Sequence, residues 1–252
     1  MAAKQQKGNK EPQVAMCTIA FREKLLEDVL DLARVLSFKA VELWGREPHV
    51  GDVYDYNRTR LIRRMCSDRG LEVAALGSYL RFGATKKTSD NVNLCHTLQT
   101  AHTLRASIIR VWASDVGSAQ AGEEVWKKAT AEAREACARC LKLGITLAVE
   151  MHDDTLADTA AGALRFLERV GCDNLRLNYQ PSARVQKEKP LERLEKVLDY
   201  VVHCHAQNFK RLGRDEGDAV GYGHVGLVQR DGLAAGCARQ PLARLPRRLL
   251  DV

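Results

Sequence analysis

From Val14 onward the chain repeats one pattern: a short apolar, β-favouring run, then a longer stretch with apolar residues at three- and four-residue spacing. Val14 to Phe21 is the first such run, and EKLLEDVLDLARVL behind it places leucines and valines on one helical face. The pattern predicts a strand from Ala40 to Trp44, a helix from Tyr56 to Arg69, a strand from Glu72 to Leu80, a helix from Ser89 to Leu104 and a strand from Ser107 to Ala113. The second half adds helix Glu123 to Leu143, strand Ile145 to Glu150, helix Leu156 to Val170, strand Asn174 to Asn178, helix Leu191 to Tyr200 and strand Val201 to Asn208. Strict alternation implies parallel strands with right-handed crossovers, in an open doubly wound sheet or a closed barrel.

Two features favour the barrel. No GxGxxG turn follows the first strand, where a dinucleotide-binding sheet would carry one. Polar and aromatic residues cluster instead at the ends of several strands: Glu42 and Trp44, Tyr79, Trp112, Glu150 and His152, Asn178 and Gln180, His203 and His205. A barrel builds its site from the carboxyl ends of many strands.

Length and composition bound this picture without changing it. The 252 residues suit one large core, and 45% hydrophobic with 28% charged residues is ordinary for a globular chain. We divide the chain into a disordered lead-in over residues 1–12, a barrel domain over 13–210 and an atypical tail over 211–252. No apolar run is long enough to cross a bilayer, and the basic lead-in has no secretory h-region. The eight cysteines sit mostly singly in apolar segments, which suits a reducing cytoplasm. Cys137 and Cys140 have CxxC spacing, but within a helical run and without a second pair, so core packing or a helix surface is expected over zinc. The net charge of +7 is spread over helices that also carry acids, which speaks against nucleic acid as the partner.

Glu150 is the sharpest candidate for chemistry. It ends the apolar strand GITLAV, where a carboxylate is expensive unless paired or metal-bound. His152, two residues on, points to the same side if the strand continues. Trp44, Tyr79 and Trp112 could wall a sugar pocket or simply pack at the rim, and His49 is a candidate substrate ligand in the loop after the second strand. His96, His102 and His224 have weaker claims and read as surface residues.

The segments VELWG, TLAVEMHDDTLADT, DNLRLNYQPS and VVHCHAQNF, in this order and spacing, resemble the xylose-isomerase-like barrel superfamily of sugar and sugar-phosphate isomerases and epimerases over about Val14 to Asn208. The resemblance implies a (β/α)8-type TIM barrel and a divalent metal, Mn2+, Mg2+, Co2+ or Zn2+, held by Glu, Asp, His and Glu from the fifth to eighth strands. Carried over, the first three ligands are Glu150, Asn178 in place of Asp, and His205. Asn178 keeps a carbonyl oxygen but loses a charge, so weak metal binding is expected. A histidine common in epimerases falls at Pro181, and Gln180 beside it is a candidate substrate ligand. Beyond Asn208 no apolar strand ends in Glu, and from about Ala219 the chain reads like a shifted frame or a truncation. The eighth βα unit is therefore expected to be incomplete or atypical, and the barrel open between its first and seventh strands with exposed edges prone to association, including homo-oligomers.

The resemblance implies enediolate chemistry on an open-chain carbohydrate, with Glu150 as ligand and proton carrier and His152 positioning a hydroxyl. The opposite-face proton carrier that an epimerase needs is missing. The competing readings are an impaired barrel that binds a ligand or a protein, and, ranked below both, an endonuclease-type barrel acting on abasic DNA.

Overall fold

A computed structural model describes residues 13–86, 92–181, 189–210 and 220–228. The lead-in over residues 1–12 and the tail from 229 lie outside them. The elements run β1 (Gln13–Cys17), α1 (Leu26–Val35), β2 (Ala40–Trp44), α2 (Tyr56–Asp68), β3 (Glu72–Phe82), α3 (Leu94–Leu104), β4 (Ile108–Ala113), α4 (Glu123–Leu141), β5 (Thr146–Glu150), α5 (Ala160–Val170), β6 (Leu175–Tyr179), α6 (Pro190–Val197), β7 (Val201–Lys210) and β8 (Val220–Val228).

The eight strands form a closed barrel in chain order, with β1 to β7 parallel. The open edge expected between β1 and β7 is absent. β8 runs antiparallel to both and fills the gap, with Gly226 opposite His205 on one side and Ala15 on the other. The eighth unit is thus atypical by direction: a strand returning against β7 closes the ring where a parallel one would normally arrive by a crossover. Its residues lie in the stretch read above as a tail.

Local chemistry sets the helix limits. The Asp55 carboxylate accepts from the Arg58 N–H, Asn93 Oδ1 from the Cys95 and His96 N–H groups, and the Thr159 hydroxyl oxygen from the Gly162 N–H, each satisfying orphan donors of a first turn. The start predicted at Leu156 moves to the cap at Thr159, while Ser89 lies outside the described residues and α3 follows its Asn93 cap. On α1, Leu26, Val29, Leu30 and Ala33 form the buried stripe that the spacing predicted. Cys137 and Cys140 are both buried in the core face of α4.

Alternation along the strands separates two cores. Outward residues such as Val41, Leu43, Ile109, Val111, Leu147 and Val149 pack beneath the helices. The inward set, Ala15, Ala40, Ala75, Ile108, Ala148 and Val202, forms its own cluster inside the barrel. Two residues further along the same strands, about 6.6 Å nearer the carboxyl ends, the interior changes from alanine to charge: Cys17, Glu42, Gly77, Arg110 and Glu150 succeed Ala15, Ala40, Ala75, Ile108 and Ala148.

Candidate active site

The upper interior layer is a closed electrostatic set. Glu42, Arg110, Glu150, Asn178, His203 and His205 are all buried. Arg110 Nε lies 3.1 Å from Glu150 Oε2 and 4.0 Å from Glu42 Oε1. On the other side of Glu42, His203 Nε2 donates to Oε2 at 2.5 Å and His205 Nε2 donates to the same oxygen at 2.9 Å. Glu150 opposes Asn178 across the β5–β6 ladder, and Asn178 opposes His203 across β6–β7.

Gly77 makes room for this layer. A Cβ there would stand 2.7 Å from Glu42 Oε1 and 3.2 Å from Arg110 Nη2. Glycine is thus required by close approach, not by backbone conformation.

The charges follow from the contacts. His205 Nε2 faces the Glu42 carboxylate and Nδ1 faces Gln180 Oε1 at 2.8 Å, with the Asn178 amide 3.3 Å from both ring nitrogens. Burial opposes an imidazolium here, but the Glu42 charge and hydrogen bond raise the His205 pKa above its ordinary value. Burial would likewise push Glu42 up, and the charges of His205 and His203 with their hydrogen bonds hold it well below the carboxylate range. Burial works against the Arg110 charge too, and Glu150 and Glu42 restore it. Glu42 and Glu150 thus face Arg110 and His205 across the interior.

Above this layer is a rim of rings. His152 is half-buried, 4.6 Å from the Trp112 ring, and its Nδ1 lies 2.9 Å from the Asp153 carbonyl oxygen. A carbonyl only accepts, so Nδ1 carries the hydrogen and Nε2 keeps its lone pair in the neutral ring. Trp112 stacks on Tyr79 at 6.4 Å, and its indole N–H is buried without a partner among the described residues. The Trp44 indole donates to the Tyr79 hydroxyl at 3.0 Å. His49 is placed differently: its Nε2–H donates to the Lys24 carbonyl at 3.2 Å, and its Nδ1 accepts from the Thr18 hydroxyl at 3.0 Å. Burial lowers its pKa, and the neutral ring ties the end of β1 to the β2 loop.

For a metal, the donors within 4.8 Å of one another among the described residues are Cys17, Glu42 and His205. Of the ligands carried over from the resemblance, His205 belongs to this group, Glu150 is engaged by Arg110, and Asn178 has its Oδ1 buried without a partner. The β8 sequence VGYGHVGLV contains no carboxylate to complete the set. The side chain of His224, within β8, lies outside the described residues.

Three members of the layer were missed by sequence reading, His203 among them, which was noted at a strand end without a role. Glu42 was noted as a strand-end polar residue without a role, and Arg110 was passed over. The available signal was a lone arginine in the apolar strand IIRVWA, on the strand next to the one that ends in Glu150.

Comparison with known proteins fits this architecture. A 3-dehydroshikimate dehydratase of Bacillus anthracis is 24% identical over 205 residues, covering 77% of this chain and 71% of that protein. The crystal structure of the probable 3-DHS dehydratase of Bacillus anthracis superposes with a TM-score of 0.64 at 20% identity, over 79% of this chain and 74% of that one. A xylose isomerase-like TIM barrel protein from Mycobacterium smegmatis, in complex with magnesium, gives 0.60 at 18% identity over 84% and 80%. At such identities the solved structures establish the fold alone. The profile of the xylose isomerase-like TIM barrel family matches residues 30–229, and the chain belongs to that family.

Proposed function

We propose that the protein is a metal-assisted lyase or isomerase that removes a proton from the carbon beside a carbonyl in a small polyhydroxylated substrate. The observation that carries this reading is His152: its Nδ1–H is committed to the Asp153 carbonyl, which leaves Nε2 as a base beside Trp112 and above the buried charges. The Trp112 N–H, buried and without a partner among the described residues, is a donor for a substrate hydroxyl. Arg110 and His205 bring positive charge to the same end of the barrel, where an enolate oxygen would be stabilised.

The donor set suits a metal of intermediate softness. A thiol, a carboxylate and an imidazole favour Zn2+ or Co2+ over Mg2+, and the orphaned Asn178 carbonyl oxygen is a fourth candidate donor. A cation held there would supply Lewis-acid polarisation of the substrate carbonyl. Burial and Glu42 push the Cys17 thiol up, so the thiol stays protonated unless a metal replaces its proton.

One free base on one face decides among reaction types. Epimerisation needs proton transfer on both faces of the carbon, and the other imidazole nitrogen of this site without a partner among the described residues, His203 Nδ1, is fully buried, whereas His152 stands half-buried at the rim. Loss of a β-hydroxyl after proton removal needs one face only, as does a shift along a ketose. The dehydratase activity in the name of the Bacillus anthracis relative is of the first kind.

The test is a zinc- or cobalt-loaded preparation offered 3-dehydroshikimate and a panel of ketoses in D2O. Deuterium uptake or water loss is followed by NMR. We expect turnover of at least one compound, and His152→Gln to lower it about 10²- to 10⁴-fold with the unfolding transition unchanged. A His152→Gln variant with full turnover, or a metal-loaded protein that exchanges no substrate proton, would refute the reading and leave a ligand-binding barrel.

A further inference from the structure

A cavity of about 730 Å³ opens at the other end of the barrel, where β4 and β5 begin. Its floor comes from Ala106, Ser107 and Ile145, the residues just before those strands and at the start of β5's run, and Leu143 adds an apolar wall. Ile145 and Glu150 lie at opposite ends of β5, roughly 16 Å apart at strand rise, so the cavity is separate from the site above.

Its lining is cationic. Arg60 and Arg63 from α2, His102 from the last turn of α3 and Arg105 from the α3 cap all contribute, and no lining residue is acidic. The other arginines of this region are paired: Arg58 with Glu47, Arg64 with Asp68, Arg69 with Asp31 and Glu27. Arg63 and Arg105 have no carboxylate partner among the described residues, and Arg60 contacts only the Tyr56 ring and hydroxyl. Guanidinium groups are paired elsewhere on this surface and left uncompensated around one concavity.

We propose that this cavity binds a small polyanion, a phosphorylated or polycarboxylated metabolite. Its volume lies within the usual range for small-molecule sites. Clustered guanidinium groups without counter-charge recognise phosphate or carboxylate oxygens. Leu143, Ile145 and Tyr56 give an apolar part of the ligand somewhere to rest. The cations converge on a concavity with an apolar wall, whereas a nucleic-acid surface would present an extended basic stripe.

Sodium tripolyphosphate is the probe, titrated calorimetrically into the full chain at constant ionic strength. We expect saturable one-site binding. Arg63→Gln and Arg105→Asn together should weaken it at least tenfold, the asparagine chosen because residue 105 has a φ of 61° that asparagine tolerates. Arg64→Ala, which removes a paired arginine from the same helix outside the cavity, should leave the affinity within twofold. Melting curves of all three proteins guard against unfolding. The proposal falls if wild type gives no saturable heat, if the double variant binds as wild type does, if Arg64→Ala weakens binding equally, or if only duplex DNA binds.

Discussion

The two interior layers of the barrel occupy the same strands, two residues apart, and follow opposite rules. The lower layer of Ala15, Ala40, Ala75, Ile108, Ala148 and Val202 has no charge to satisfy and is stabilised by apolar burial. The upper layer carries Glu42, Arg110, Glu150 and His205, buried at 5% side-chain exposure or less, and stands only because each charge meets its opposite. The comparison teaches where this scaffold tolerates ionisable groups. The lower layer is apolar apart from Arg176 on β6, opposite Ala148, and the upper layer holds charges that meet one another.

Moving a charge across that boundary should produce the largest effect. Ala75→Glu places a carboxylate in this layer with extra volume, and its register partners are Glu42 and Ile108, so no cation faces it across either ladder. Its expected cost is at least several kcal/mol, enough to unfold a domain of ordinary stability. Circular dichroism of the purified variant checks this, and a native cooperative melt near the wild-type temperature would refute the division into layers.

Breaking the upper layer from inside should come next. Arg110→Met keeps most of the volume but leaves Glu150 without its 3.1 Å partner and Glu42 without one of its cations. Removing one member of a buried pair costs about 3–5 kcal/mol, readable as a lower urea midpoint at neutral pH. The loss should shrink in acid, where the stranded carboxylate takes up a proton. A loss that does not change with pH would mean that packing, not charge, holds Arg110.

Titration sharpens the contrast further. The His205 pKa is raised in the folded state above the ordinary 6.5, so its contribution is complete below that pH and is lost as pH rises through the folded value. The Glu42 pKa is depressed below 4.5, so its contribution is complete above that pH and is lost as pH falls through the folded value. The pair therefore stabilises most between about 4.5 and 6.5. With chelator present, the melting temperature of wild type relative to His205→Gln should decline as pH rises above this window. Parallel curves would remove His205 from the charge balance.

Much of this was legible in the amino-acid order, for identifiable reasons. Seven strands could be located because parallel strands buried on both faces are short apolar runs between helical stripes. Glu150 and His152 stood out because a polar residue ending such a run is expensive. β8 escaped notice because VGYGHVGLV is glycine-rich and ends in no carboxylate, and its antiparallel pairing depends on the gap between β1 and β7, a tertiary fact. Glu150 was seen to need a counter-charge, but a metal was expected where Arg110 also serves. Arg110 lies 40 residues before Glu150, and only the pairing of β4 with β5, which sets Arg110 opposite Ala148, brings its guanidinium within reach of Glu150.

The smallest predicted effect tests whether the upper layer is tuned as well as neutral. Gly77→Ala adds one methyl group and no charge, yet that carbon would stand 2.7 Å from Glu42 Oε1 and 3.2 Å from Arg110 Nη2. Neither neighbour can yield freely, because Glu42 is held by two histidines and Arg110 by Glu150. Overpacking of this kind costs about 1–3 kcal/mol, and the displaced groups belong to the proposed site, so turnover should fall more than stability does. In the lower layer the corresponding residue on β3 is Ala75, fully buried, where the same methyl is already accommodated. A Gly77→Ala protein with unchanged melting and unchanged turnover would show that the charged layer has slack. The distances around Gly77 predict that it has none.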